Sequence, residues 1–137
     1  MSRASAAAEG ACPCGRLDAR GRPTLHALCC ARYLDSQAVA PDAESLMRSR
    51  YSAFVLQRGD YLLATWHAST RPIALDFELA AKWLGLEVRS QRQLDANHAE
   101  VEFVARHRVA GRAERLHERS RFVREDGRWY YVDGAIL

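Results

Sequence analysis

The sequence predicts an α+β domain, helices first and a curved antiparallel sheet after them, behind a small cysteine-held module. Three observations carry this. All four cysteines fall between Cys12 and Cys30; apolar residues recur with a helical period from 42 to about 66; from Trp83 onward the period is two. The 137 residues are one domain's worth of chain with a small appendage, enough to bury roughly two-thirds of the unfolded surface. A hydrophobic fraction of 48% with 27% charged residues argues against wholesale disorder. The net charge of +3 is too small to imply nucleic-acid binding. No apolar run approaches the ~18 residues of a membrane span. Residues 1–11 lack the apolar centre of a secretory signal. A soluble, cytoplasmic protein with no membrane association is expected.

The cysteines come first in the chain. Cys12-Pro13-Cys14-Gly15 and Cys29-Cys30 are separated by fourteen residues. A Cys-x-Cys pair on a tight turn, for which Pro13 and Gly15 supply the chemistry, can aim two sulfurs at one ion. Two such pairs give the four soft, tetrahedral donors that zinc takes. The competing assignments are two disulfides, which a cytosolic setting disfavours, or reduced thiols packed as small apolar groups. Four protein ligands would leave no open coordination position, so one structural zinc ion is expected at Cys12, Cys14, Cys29 and Cys30. His26 is a candidate substitute for one of them. The loop between the pairs carries Arg16, Arg20 and Arg22.

Residues 34–41 have no clear period and read as a linker. Asp42 is a good N-cap and Glu44 suits the positive end of a helix running to about Gln57. Met47, Tyr51 and Phe54 form its apolar stripe at i, i+4 and i+7. Gly59 is expected to close it, and Asp60 to cap a second helix through Trp66 that ends before Pro72. A third short helix is expected over 75–82.

Four strands are expected at about 83–94, 99–109, 114–124 and 128–136. With Gly111-Arg112 as a two-residue hairpin loop, Val101 faces Phe122 and Ala105 faces Glu118. With Asp126-Gly127 as the next loop, Phe122 faces Tyr131 and Ser120 faces Asp133. One sheet face then collects Leu84, Leu86, Val88, Val101, Phe103, Leu116, Phe122, Trp129 and Tyr131, while the other is rich in arginine and glutamate. A one-residue slip would scramble that segregation. The helices are expected to cover the apolar face.

The cysteine segment resembles the SEC-C motif, a zinc-binding module, through Cys12, Pro13, Cys14, Gly15, Cys29 and Cys30. Its fourteen-residue loop is longer than the motif's usual one. Helices followed by a curved sheet resemble the nuclear transport factor 2-like fold, a cone with a pocket between helices and sheet. The strings 46–54 (LMRSRYSAF), 65–67 (TWH), 118–122 (ERSRF) and 129–134 (WYYVDG) resemble the YchJ family. The resemblance implies a SEC-C-like zinc motif at 12–33 and a nuclear transport factor 2-like domain at 42–137. It implies no established activity.

Two functions are drawn from this. The first is a zinc-binding adaptor or binding protein, in which the cysteine module contacts a protein partner and the cone is a platform or small-molecule pocket. The second is a small-molecule enzyme using His107 and Glu118 as an acid–base pair, with His67 reaching the same cavity. In the expected register His107 and Glu118 are diagonal neighbours, about 7–8 Å apart at the backbone. Arg48, Tyr51, Trp66, Ser120 and Asp133 are the expected pocket residues, with Arg48 or Arg50 entering as an anion ligand. On the outer face, glutamates interleave with seven arginines, so solvated ion pairs rather than nucleic-acid binding are expected there.

Overall fold

In the computed structural model, which describes residues 10–75 and 82–137, the cysteine segment folds as a short hairpin. Isolated bridges join Ala11 to Leu25 and Leu17 to Pro23. Asp18 makes its turn: the carboxylate accepts from the backbone N–H groups of Arg20 and Arg22 at 2.8 and 3.0 Å. The extra loop residues are thus spent on a self-bonded turn beyond the thiols. A 3-10 turn at His26–Leu28 and α1 (Ala31–Leu34) follow and carry Cys29 and Cys30 inward.

The principal helix, α2 (Ala43–Val55), starts as its sequence requires, with the Asp42 side chain accepting from Ser45 N–H at 2.7 Å. It ends before Gly59, because Gln57 takes the left-handed conformation (φ 56°). Gly59 instead opens α3 (Gly59–Ala64), and Asp60 lies inside that helix rather than capping it. Residue 66 already forms a bridge with Tyr131. The helix expected over 75–82 lies mostly outside the described residues, and Lys82 itself opens the sheet.

That sheet is an antiparallel meander of β1 (Lys82–Asp95), β2 (His98–Val109), β3 (Arg112–Glu125) and β4 (Arg128–Ile136). The β3–β4 turn is Asp126-Gly127 as expected, and Phe122 faces Tyr131. The β2–β3 turn is one residue earlier than expected. Ala110 and Gly111 both have positive φ (52° and 79°), the pairing a tight I′ hairpin demands. Val101 therefore faces Ser120, and Ala105 faces Leu116 rather than Glu118. A shift of the turn by one moves each partner by two, so the faces survive while the neighbours change. A bulge between Trp83 and Gly85 in β1 turns Leu84 out to solvent and brings Trp83 onto α2. A second bulge beside Phe122 sets Ser120 opposite Gly134, not Asp133.

Helix α2 lies across the apolar sheet face. Leu46, Leu62, Val101 and Phe122 form the most deeply buried apolar positions. The four cysteines belong to this same core, continuous with Met47, Tyr51 and Ala53. On the outer face, Val104 is fully buried beneath charged neighbours. Arg119 reaches Glu100 and Glu102 at 3.6 Å each, and His117 Nε2 lies 2.8 Å from Glu102. Among the described residues no helix is long and apolar enough to cross a membrane.

Candidate functional site

Two sites flank α2, one on each side. The first is the thiol cluster. The Sγ atoms of Cys12, Cys14, Cys29 and Cys30 all lie within 4.8 Å of one another, and all four residues are buried and unbridged. Cys14 and Cys29 sulfurs are 3.6 Å apart. Hydrogen bonds from Cys14 first, then Cys29 and Cys30, pull the Cys12 thiol well below its ordinary value. That thiolate in turn holds Cys14 and Cys30 far above theirs. Cys29 is raised by Cys12 but on balance brought down, to about 7, by hydrogen bonds from Cys14 and Cys30. A closed set of four sulfurs with two acidified thiols is a donor set suited to a soft cation.

Two further residues support the cluster. Buried His26 places Nδ1 3.4 Å from Cys12 Sγ, and Ser52 Oγ of α2 lies 3.5 Å from the same sulfur. His26 is thus a neighbour of the Cys12 sulfur, outside the four-sulfur set. Arg48, expected in the pocket, points to this side instead. Its Nη1 donates to the Cys14 carbonyl at 2.9 Å and its Nε to Glu44 at 2.9 Å. Glu44 also accepts from Arg16 of the cysteine loop at 3.1 Å. The module is therefore fastened to α2 by backbone, charge and sulfur contacts.

The second site is a cavity of about 160 Å³ between α2 and the sheet. Tyr51, Trp66 and Ser120 line it as expected, together with Met47, Phe54, Trp83, Phe103, Phe122 and Tyr131. Arg50, not Arg48, supplies the cation. It is 6% exposed, with Nη1 donating to Leu62 O at 2.8 Å and Thr65 Oγ1 at 2.7 Å. Its guanidinium lies over the rings of Tyr131 and Trp66, at 4.5 and 5.1 Å from their centroids. Burial brings its pKa down to about 10, which leaves it a cation at neutral pH. Burial likewise pushes Tyr51 and Tyr131 up to about 12, so both are neutral phenols.

Glu118 also lines this cavity, held by a 2.5 Å hydrogen bond donated by Ser120 Oγ. Its carboxylate lies over Gly134, where any Cβ would overlap it. The expected partnership with His107 does not form. The two-residue difference in register puts His107 opposite Glu114, 3.5 Å from its carboxylate, and against the Trp83 ring. Asp133 is turned to the outer face by the β4 bulge, where it accepts two hydrogen bonds from Arg121. His67 is outside the cavity as well, between Glu125 at 2.8 Å and Ser69 at 2.7 Å, because its backbone N–H is pinned to Tyr131 O. Sequence reasoning missed Trp83 as a wall and Ser52 as a sulfur neighbour. Arg50 carried a usable signal, since it stands at i+3 from Met47 on the apolar stripe itself.

A sequence-family profile for the YchJ middle domain, described as nuclear transport factor 2-like, matches residues 42–134. UPF0225 proteins of Polaromonas naphthalenivorans and Methylibium petroleiphilum are 69% and 59% identical to the chain. The alignments cover 90% and 91% of it, and 95% and 88% of those proteins. The solution structure of a SEC-C motif containing protein from Rhodopseudomonas palustris is 31% identical with a TM-score of 0.79, covering 93% of this chain and 98% of that one. A crystal structure of a SEC-C motif containing protein from Psychrobacter arcticus is 32% identical with a TM-score of 0.80, covering 96% and 85%. With its cysteine hairpin fastened to a helix-on-sheet cone, the chain belongs to the YchJ (UPF0225) family.

Proposed function

We propose that this is a zinc-stabilised adaptor or binding protein, its cysteine module facing a protein partner and its cone holding a small ligand. The observation that carries the reading is the closed set of four buried thiols. Zinc–sulfur bonds of about 2.3 Å at tetrahedral corners require sulfurs about 3.8 Å apart, and these lie within 4.8 Å of one another. Cys12, Cys14, Cys29 and Cys30 would hold the ion, which would supply folding free energy and no reactive water. His26 and Ser52 would orient the Cys12 sulfur.

The outward surface of the module supports the adaptor part. Leu17, Leu25 and Leu28 are 59%, 47% and 66% exposed, among the basic loop residues. Apolar side chains kept out of the core on a rigid knuckle are what a protein partner would cover. A photo-crosslinking residue placed at Leu28 tests this against one at Arg112, on the sheet turn, in cells of the parent organism. One defined adduct at Leu28 with none at Arg112 is expected. Equal labelling at the two positions, in protein carrying one zinc by native mass spectrometry, would remove the adaptor role.

A further inference from the structure

The cavity holds two opposite charges, Arg50 and Glu118, that feel each other across it but make no direct ion pair. Among the described residues no carboxylate lies within 4 Å of the Arg50 guanidinium, and only its Nη1 has hydrogen-bond partners, so Nε and Nη2 are free. A buried guanidinium with no carboxylate in contact leaves donors for another acceptor to satisfy. Glu118, the carboxylate lining the same space, is held by Ser120 and keeps acceptor capacity on its oxygens. Between and around them the walls are aromatic (Tyr51, Phe54, Trp83 and Phe103) and aliphatic (Met47 and Leu116). The volume of about 160 Å³ compares with the roughly 150 Å³ that admits benzene in an engineered protein cavity.

We infer that the cavity is a site for a small zwitterion with an apolar body, its carboxylate on Arg50, its ammonium on Glu118 and its hydrocarbon part against the aromatic wall. A free amino acid with a branched aliphatic side chain has this chemistry and about this size. Each charged end finds the opposite charge already in place, Arg50 buried and Glu118 half-buried and held by Ser120. Planar guanidinium suits a carboxylate, offering Nε and Nη2 as a parallel pair of donors. An acid without an amine would leave Glu118 facing hydrocarbon, and an amine without an acid would leave Arg50 so. The inference rests on the reading of the cone as a ligand pocket.

The test uses the full zinc-loaded chain, with binding followed by amide and indole NMR shifts. Four probes are compared: L-leucine, 4-methylpentanoate (the same skeleton without the amine), 3-methylbutylamine (without the carboxylate) and benzene. Leucine is expected to bind at least tenfold more tightly than either truncated analogue. Arg50→Lys and the isosteric Glu118→Gln are each expected to weaken leucine about tenfold or more. Glu118→Gln should leave 4-methylpentanoate unaffected, and it guards against loss of fold on changing Arg50. If benzene shifts the cavity resonances while leucine does not surpass its analogues, the zwitterion is overturned and the pocket stands. If none of the four perturbs Trp83 or Phe103, the ligand-pocket reading falls with it.

Discussion

Replacing Arg48 by methionine removes a strut between the cysteine module and α2 while keeping most of the side chain's bulk. The lost contacts are the 2.9 Å bond to the Cys14 carbonyl and the 2.9 Å bond to Glu44 one turn back. The side chain is 14% exposed, so water replaces these bonds poorly. A hydrogen bond from a charged donor contributes about 1.5–3 kcal/mol. Glu44 keeps Arg16 at 3.1 Å, so the lost i,i+4 pair adds only about 0.3–0.5 kcal/mol. Roughly 2 kcal/mol is therefore at stake.

The orphaned carbonyl belongs to Cys14, one of the four proposed zinc ligands, so on that reading the loss should fall first on the ion. At 1.4 kcal/mol per tenfold, about 2 kcal/mol corresponds to roughly 30-fold weaker zinc binding. Competition of the full-length R48M variant against a chromophoric zinc chelator at neutral pH measures this directly. Arg48→Lys, which can reach one acceptor but not both, should fall between. Zinc affinity within twofold of the parent, with an unchanged urea midpoint, would refute the strut. It would return Arg48 to the role of an ordinary surface cation.

Three other substitutions read different parts of the fold. Gly134→Ala pushes a Cβ into the Glu118 carboxylate and should cost about 1–3 kcal/mol in urea unfolding. Most of that should return in the double variant with Glu118→Ala, and simple additivity of the two would contradict the overlap. Glu44 is raised by burial but lowered more by its bonds to Arg48 and Arg16, so its folded pKa lies below the ordinary glutamate value. Its stabilisation is then complete above the unfolded pKa of about 4.3 and is lost as pH falls through the folded one. Stability of E44Q should accordingly decline less steeply in acid, and parallel pH profiles for parent and variant would count against it. His107 has a buried Nδ1 without a partner among the described residues, so His107→Phe, packed on Trp83, should leave stability unchanged or raise it by up to about 1 kcal/mol. A loss above ~2 kcal/mol would show that the imidazole has a polar role.

The fold was legible because its signals repeat along whole elements, whereas the site depended on single residues at turns and bulges. Segregation of Val101, Phe103, Leu116 and Phe122 from the arginines holds for any even shift of register, so it fixed the buried face. It could not fix partners. Asp126-Gly127 announces an I′ turn by composition, and its register was readable. Ala110-Gly111 adopts the same geometry with an alanine at φ 52°, where sequence gives no hint. That one residue moved Glu118 from opposite Ala105 to opposite Phe103, and with it dissolved the His107–Glu118 pair. The bulge that displaced Asp133 is equally silent in sequence. The thiol cluster was legible for the opposite reason, since four soft donors confined to nineteen residues have few places to go.

Helix α2 gives the two sites a common element. Glu44, Arg48 and Ser52 recur every four residues and face the cysteine module; Met47, Arg50, Tyr51 and Phe54 face the cavity. Thirteen residues cannot be anchored on one side and loosened on the other without rotation or fraying. Loss of the ion should therefore reach Trp83, which lies on β1 with its ring 5.8 Å from those of Tyr51 and Phe54. Chelation of the zinc-loaded chain, followed by the Trp83 indole N–H resonance and by thiol labelling, separates the possibilities. The indole resonance is expected to shift or broaden as the thiols become reactive, because α2 is the connection. Four reactive thiols beside an unmoved Trp83 signal would mean that the module opens as an independent unit. The metal would then stabilise the knuckle alone, and the cavity would keep its shape without it.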